Sequence, residues 1–378
     1  MAFSRSASSD SKTNMTDAKP QDLAQLRGRI DDIDRQIQSL ITERAGFARQ
    51  VGLAKGPLAA ALDYYRPERE SQVLRSVIDR NEGPLSNAEL VRVFREIMSA
   101  CLAQQSPLRI AFLGPEGTFS QSAVLKHFGH SVRALPLGTL DEVFQEVEAG
   151  NADFGVVPVE NSSEGAVHHT LDLFPLTRLN ICGEVELRIH HNLLSHATDL
   201  GSIERVYSHA QSLAQCRGWL RAHLPQAERI AVSSNAEAAR RARNAPEAAA
   251  IAGEAAAQVY SLPMLAESIE DQADNTTRFL VIGRELMPAT GHDKTSLMLS
   301  GGGARPGALY KLLDPFARHR INMTRIESRP SRSGKWEYVF FIDIEGHVDD
   351  ALVRQALADL DPLDGDVRVL GAYPVALL

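Results

Sequence analysis

Cysteine is scarce and unpatterned: Cys101, Cys182 and Cys216 are the three in 378 residues, far apart and without a C-x-x-C pair. That spacing suggests neither a disulfide framework nor a zinc knuckle, and a reducing cytoplasm suits it best. Positive charge is in deficit, with 40 Lys+Arg against 48 Asp+Glu and a net charge of −8. The surface as a whole therefore has no general affinity for nucleic acid or anionic membranes, although local basic pockets are compatible with it. No run approaches the roughly 18 consecutive apolar residues of a membrane span. Residues 1–20, rich in Ser, Lys and Asp, lack the apolar segment of a secretory signal and are expected to be a disordered tail. Core material is plentiful: 44% of residues are apolar and 23% charged, enough for two or three domains.

Three textures divide the chain. Residues 21–106 carry a purely helical pattern closed by Ser106-Pro107. Across residues 108–286, short β-branched runs such as Ile110-Ala111-Phe112-Leu113 alternate with Ala-rich helical stretches, the mark of an α/β layer fold. After a linker from Met287 to Asp293, residues 294–378 read strand, helix, strand, strand, helix, strand, which is the ferredoxin-like βαββαβ order. The second and third of those strands are expected at Ile321–Ser328 and Trp336–Ile344, with one helix-covered face.

In the helical region, Leu23, Leu26, Ile30, Ile33, Ile37, Leu40, Arg44, Phe47 and Val51 recur at alternating steps of three and four, a heptad seam. A helix over residues 21–55 is about 50 Å long, against a radius of gyration of about 13 Å for a 100-residue domain. Its partner is therefore expected to be another chain. Lys55 lies three turns beyond Arg44 on the same face, whereas Arg27 faces elsewhere and would have to join them from a partner subunit. An unpaired arginine in the seam calls for an adjacent anion, but an ion pair with Asp34 or Glu43 would serve equally well. Arg69 and Glu70 fall in the first turn of a second helix beginning near Pro67. Ser86-x-x-Glu89 is a capping box for a third helix, whose stripe Leu90, Phe94, Ile97 and Cys101 continues to Gln105.

In order and spacing, Arg27, Arg44, Lys55, Arg69, Glu70 and Gln105 resemble the site of the all-helical chorismate mutases, which form intertwined dimers. The resemblance implies that Arg27 of the partner and Arg44 clamp the carboxylates of chorismate. It also implies that Lys55 and Gln105 donate to the ether oxygen, Arg69 supports them and Glu70 holds the ring hydroxyl. Arg66 departs from this pattern, standing where many relatives have Asp.

In the α/β region, Gly114-Pro115-Glu116-Gly117-Thr118-Phe119-Ser120 connects a strand to a helix, a layout that points backbone N–H groups at an anion. Glu160-Asn161-Ser162-Ser163-Glu164-Gly165 is a second polar loop at the carboxyl end of a strand, where open α/β sheets place ligands. Singly, Asn161 and Ser162 are as well explained as turn formers, and Thr277 as a half-buried strand residue. Together with Tyr207-Ser208-His209 and Thr277-Arg278-Phe279, these motifs resemble prephenate dehydratase. The family implies a two-lobed, periplasmic-binding-protein-like fold with no cofactor. Thr277 would act as proton donor to the leaving hydroxyl of prephenate. Thr118, Glu160, Asn161, Ser162, Ser208, Gln215 and Arg278 would position substrate, with Phe279 packing the site. His168-His169 and His190-His191 invite a metal reading, but no acidic or cysteine cluster accompanies them in the sequence, and no metal is expected.

Gly307-Ala308-Leu309 and Glu327-Ser328-Arg329-Pro330 resemble the phenylalanine-binding motifs of ACT domains, though each alone also reads as a helix cap or an exposed turn. The combined resemblance is to the bifunctional chorismate mutase/prephenate dehydratases, implying feedback by L-phenylalanine on a homodimer or larger assembly. Two alternatives stay open on sequence: a non-catalytic amino-acid sensor, and a dehydratase acting on arogenate.

Overall fold

The computed structural model describes residues 23–55, 65–301, 306–331, 338–360 and 365–377. The expected tail and Trp336 lie outside them. Two compact units are distinguished, one ending at Phe47 and one beginning at Ala48.

The heptad seam forms one helix, α1 (Leu23–Lys55), which buries none of its residues in the single chain. Leu23, Ile30 and Leu40 are 60%, 56% and 64% exposed. Within the second unit, α2 (Pro67–Asp79) starts with proline at its first position, where no N–H is needed. Both halves of the expected capping box form at the start of α3 (Asn87–Ala103). The expected stripe of α3 is mostly half-buried. Its buried residues are Val91, Ser99 and Cys101, because α3 also docks sideways: Ser99 Oγ accepts the Ser131 N–H at 3.2 Å and Glu96 accepts the His130 N–H at 3.1 Å.

The α/β region is two lobes. The first contains β1 (Arg109–Leu113), α4 (Phe119–Phe128), β2 (Arg133–Leu137), α5 (Leu140–Glu148), β3 (Phe154–Asn161), β4 (Gly165–Ala166), α6 (His168–Leu173) and β5 (Asn180–Arg188). The chain then crosses to a second lobe: β6 (Asn192–Leu194), β7 (Arg205–His209), α7 (Ala210–Gln215), α8 (Arg217–His223), β8 (Glu228–Val232), α9 (Asn235–Ala242), β9 (Ala248–Ala252), α10 (Glu254–Tyr260) and β10 (Met264–Ala266). It returns as β11 (Thr276–Gly283), which inserts antiparallel between β3 and β5. The sheet orders are β2-β1-β3-β11-β5 and β10-β6-β9-β7-β8. The two crossings run side by side, tied by Ile189 N–H to the Asn275 carbonyl and Ile269 N–H to the His191 carbonyl, each at 2.8 Å. They form the floor of the cleft between the lobes.

The C-terminal segment has the expected order: β12 (Asp293–Gly301), α11 (Ala308–Arg318), β13 (Met323–Pro330), β14 (Tyr338–Glu345), α12 (Ala351–Leu360) and β15 (Gly365–Pro374). Its sheet runs β13-β14-β12-β15. Leu297, Leu299, Ile342 and Ile344 pack under the two helices with Leu312, Phe316 and Val353. The other face is covered as well: Phe341, Leu370 and Tyr373 share one core with Phe144, Phe174 and Ile181 of the first lobe. The approach is backbone to backbone, since a Cβ on Gly371 of β15 would collide with the backbone of Ile181 in β5. Only glycine fits there.

Candidate active sites

At the hinge, the ends of β3 and β11 bring Asn161 and Thr277 directly opposite each other. One backbone group fixes the polarity of everything around them. The Ser163 N–H donates to Asn161 Oδ1 at 3.0 Å, and a main-chain amide has no other role to play. Asn161 Nδ2 must therefore be the donor on the other side, to Thr277 Oγ1 at 2.8 Å and to Asn275 Oδ1 at 3.0 Å. Asn275, 3% exposed, then turns its own Nδ2 to Gln215 Oε1 at 3.2 Å. His191 Nε2 reaches the same oxygen at 2.8 Å. Gln215, its oxygen occupied twice, borders a cavity of about 280 Å³ with Ser163, Glu164, Glu270 and Asn275. Its Nε2 is buried and has no partner. The Thr277 oxygen is already accepting, so its hydroxyl proton is the part left to donate.

Other expected site residues are placed differently. Along β3 and β11, successive side chains take opposite faces, and Glu160 and Arg278, also paired in register, face away from the cleft. Glu160 accepts from Arg325 Nε at 3.0 Å. The Arg278 guanidinium spans Glu184 (2.9 Å), Asp343 (2.5 Å) and the Tyr373 hydroxyl (3.0 Å). Burial alone pulls Arg278 down, but Tyr373, Asp343 and Glu184 outweigh it and push it up. These two residues hold the C-terminal sheet to the lobe, correcting their expected role in positioning substrate. Phe279 is 2% exposed inside the first-lobe core with Phe112 and Phe154, so it supports β11 from within rather than packing the site. Ser208 is fully buried, its hydroxyl between Asn235 Oδ1 and the Ile251 carbonyl at 2.9 Å each; it braces the second lobe and does not reach the cleft. Thr118 stands at the N-cap position of α4, but its hydroxyl donates back to the Pro115 carbonyl at 3.1 Å and does not cap the helix. Ser162 stands at the cleft rim, accepting the Thr276 N–H at 3.0 Å.

In the helical region, Arg27 and Arg44 lie on exposed faces of α1, as do Lys55 of α1 and Arg69 of α2. Gln105 packs on Gly52, one turn before Lys55, and its Oε1 is buried without a partner. Glu70 is 3.5 Å from Arg95 and lines a cavity of about 260 Å³ with Tyr65, Ser71, Arg95 and His127. Burial raises the Glu70 carboxyl, and Arg95 opposes that rise. Arg66 reaches Glu68 at 3.5 Å.

His127, beside the Tyr65 hydroxyl at 3.3 Å, is pushed down to about 3 by burial and by Arg95. An unfolded histidine titrates near 6.5, so between pH 6.5 and 3 the unfolded chain holds a proton that the folded chain refuses. Stability contributed above pH 6.5 is thus lost on acidification. Urea unfolding is expected to show the parent losing up to about 2 kcal/mol more than His127→Gln between pH 7 and pH 5; equal losses would contradict the assignment.

In the C-terminal module, Gly307 sits at φ +81° at the N-cap of α11 and Leu309 is exposed; Ala308 is half-buried. On β13 the alternation again separates neighbours. Ser328 and Pro330 are exposed, whereas Arg329 makes a two-pronged pair with Asp172 (3.0 and 2.8 Å) and Glu327 lies 3.7 Å from His168. Glu327 and Arg329 are thus committed to the first lobe, a correction to their expected place in a phenylalanine site.

Sequence reasoning gave Asn275 no specific role and considered His191 only as a possible metal ligand. Asn275 stands two residues before Thr277, which is the period that puts side chains on one face of a strand. Tyr65 and His127 carry no such signal.

Two lobes joined by a double crossing, with a polar cleft at the hinge and a ferredoxin-like sheet clamped behind it, define a ligand-cleft α/β protein with an attached α+β module. Family models agree segment by segment: chorismate mutase type II over residues 26–106, prephenate dehydratase over 110–286 and ACT domain over 300–362. A bifunctional chorismate mutase/prephenate dehydratase of Stutzerimonas stutzeri is 57% identical over 360 residues, covering 94% of this chain and 98% of that one. One from Pseudomonas aeruginosa is 54% identical over the same shares. A prephenate dehydratase of Arthrobacter aurescens, solved in complex with L-Phe, is 37% identical with a TM-score of 0.66, covering 71% of this chain and 90% of that one. The chain belongs to the bifunctional chorismate mutase/prephenate dehydratase family.

Proposed function

We propose that this chain converts chorismate to prephenate in its helical module and prephenate to phenylpyruvate in the hinge cleft. L-Phenylalanine, acting through the ACT module, would inhibit the second step. Domain limits at 21–106, 108–286 and 294–378 follow from that reading. The observation that carries it is the Thr277 hydroxyl at the hinge, which accepts from Asn161 Nδ2 at 2.8 Å and keeps its own proton to donate.

In the dehydratase step, the ring-carboxylate C–C bond breaks and its electron pair enters the ring as carbon dioxide leaves. The C–O bond to the ring hydroxyl breaks with it, and the departing oxygen takes a proton and leaves as water. Aromatisation drives the step, so the protein has only to position the dianion and protonate the leaving group. A threonine hydroxyl is a weak acid and works here through preorganised hydrogen bonding in a low-dielectric cleft. Gln215 Nε2, with no partner in the protein, is placed to hold a substrate oxygen.

Chorismate rearrangement is intramolecular and needs only a compact conformer and stabilisation of the breaking ether bond. Gln105, which packs on Gly52 one turn before Lys55, would serve that role through its amide N–H₂. The uncovered apolar seam of α1 supports a homodimer in which α1 pairs with its counterpart and the partner contributes Arg27, since a helix is stabilised mainly by burying its apolar face. Among the described residues no helix is long and apolar enough to cross a membrane. With three buried free cysteines, a cytoplasmic location is the consistent one.

Incubation with chorismate, read as phenylpyruvate absorbance in alkali, tests the reading. Arg44→Ala is expected to abolish product from chorismate but not from added prephenate. Equal loss from both substrates, or no product from the parent, would overturn it.

A further inference from the structure

We infer that His191 is a positioning residue for the dehydratase reaction, acting through Gln215 rather than on the substrate. The inference rests on the reading of the hinge cleft as the dehydratase site.

His191 sits on the first crossing between the lobes, 1% exposed. Its backbone is fixed on both sides: its N–H donates to Glu270 Oε2 at 2.9 Å and its carbonyl accepts from Ile269. Phe119, at the start of α4, meets the ring edge-on with centroids 5.6 Å apart. Among the described residues the imidazole has one polar partner, Gln215 Oε1 on Nε2; Nδ1 is buried with none. Gln215 Oε1 also accepts from Asn275, whose orientation traces back to the Ser163 N–H. An amide oxygen must face that donor, so His191 has to present Nε2–H and leave Nδ1 as the bare lone pair. Burial, acting first, and His190 lower its basicity, against the opposing pull of Gln215 and Glu270. The ring is thereby held neutral.

The consequence lies at the far end of the Gln215 amide. Two donors on one oxygen lock the amide of Gln215, a residue of the cavity lining, and leave Nε2 as its unpartnered end. Without the imidazole, the Asn275 contact, the longer of the two at 3.2 Å, alone opposes rotation. A turned amide would present its oxygen, a lone-pair acceptor, to an anionic substrate and repel it. His191 thus decides which end of Gln215 the substrate meets, and it contributes to the fixed geometry of Asn275, Asn161 and Thr277.

The test is kinetic, on the full-length chain. His191→Phe keeps an aromatic ring but removes the donor; it is expected to raise KM for prephenate about tenfold and lower kcat about tenfold, with mutase activity unchanged. His191→Gln restores an N–H near the Nε2 position and is expected to recover most of the loss. Because His191 works through Gln215, the double variant His191→Phe/Gln215→Ala should be no worse than Gln215→Ala alone. Multiplying losses in the double variant, or His191→Gln performing no better than His191→Phe, would overturn the inference. Independently of any variant, nitrogen NMR of the parent should find His191 protonated on Nε2 only, and an Nδ1 proton would sink it. Failure of the underlying reading looks different: Thr277→Ala would then leave dehydratase activity intact.

Discussion

Thr277→Ala is expected to cut dehydratase kcat by about two to four orders of magnitude, the usual worth of a positioned proton donor, while chorismate rearrangement continues at the parental rate. The threonine oxygen accepts from Asn161 at 2.8 Å, so removing the hydroxyl deletes the proton donor that this contact positions. Thr277→Ser retains the oxygen and its proton and should keep most of the rate. The side chain is half-buried at the end of β11, so the loss should appear in kcat with little change in melting temperature. Rates within tenfold of the parent for Thr277→Ala would remove the chemical role from this residue. Comparing phenylpyruvate formation from prephenate with prephenate formation from chorismate separates the two activities in one preparation.

Arg278→Ala, one residue along, is expected to behave in the opposite way. Arg278 is 12% exposed and its partners Glu184 and Asp343 are 0% and 6% exposed. Lys294 also pairs with Glu184 at 2.8 Å, and Ser296 donates to Asp343 at 2.6 Å. Removing the guanidinium leaves Asp343 without a cation among the described residues and Glu184 with Lys294, both carboxylates being buried. Breaking such a buried pair costs about 3–5 kcal/mol, or roughly 10 °C in melting temperature for a domain pair of this size. Because the seam joins β11 to β12, β14 and β15, phenylalanine inhibition should weaken as well. A melting temperature within about 2 °C of the parent, or intact inhibition, would show that the network does not hold the modules together.

The contrast shows how far the sequence could be read. The texture changes at Ser106-Pro107 and around Met287 placed the modules, and the βαββαβ order of the last was legible from alternating apolar residues. The motifs located the cleft, because polar loops at strand ends are where α/β sheets bind ligands. What could not be read was orientation. Glu160 and Asn161 are neighbours in one motif and Arg278 and Thr277 in another, yet one of each pair faces the cleft and the other the C-terminal sheet. A run of residues does not state which face of a strand is the wet one. Glu327 and Arg329 were misplaced for the same reason: the expected single covered face of the C-terminal sheet left no lobe for them to bind. Ser208 reads as an available hydroxyl and is instead enclosed by Asn235 and Ile251.

The close contact of Gly371 with Ile181 sets a limit on how this protein can respond to its effector. Two main chains in contact with no side chain between them have nothing compressible to absorb a shift. Any rearrangement of the C-terminal sheet must carry β5 with it, or slide along it. Since β5 borders β11, a displacement begun in the regulatory layer arrives at the reacting carbon as a movement of the strand itself, and not as the repacking of intervening side chains.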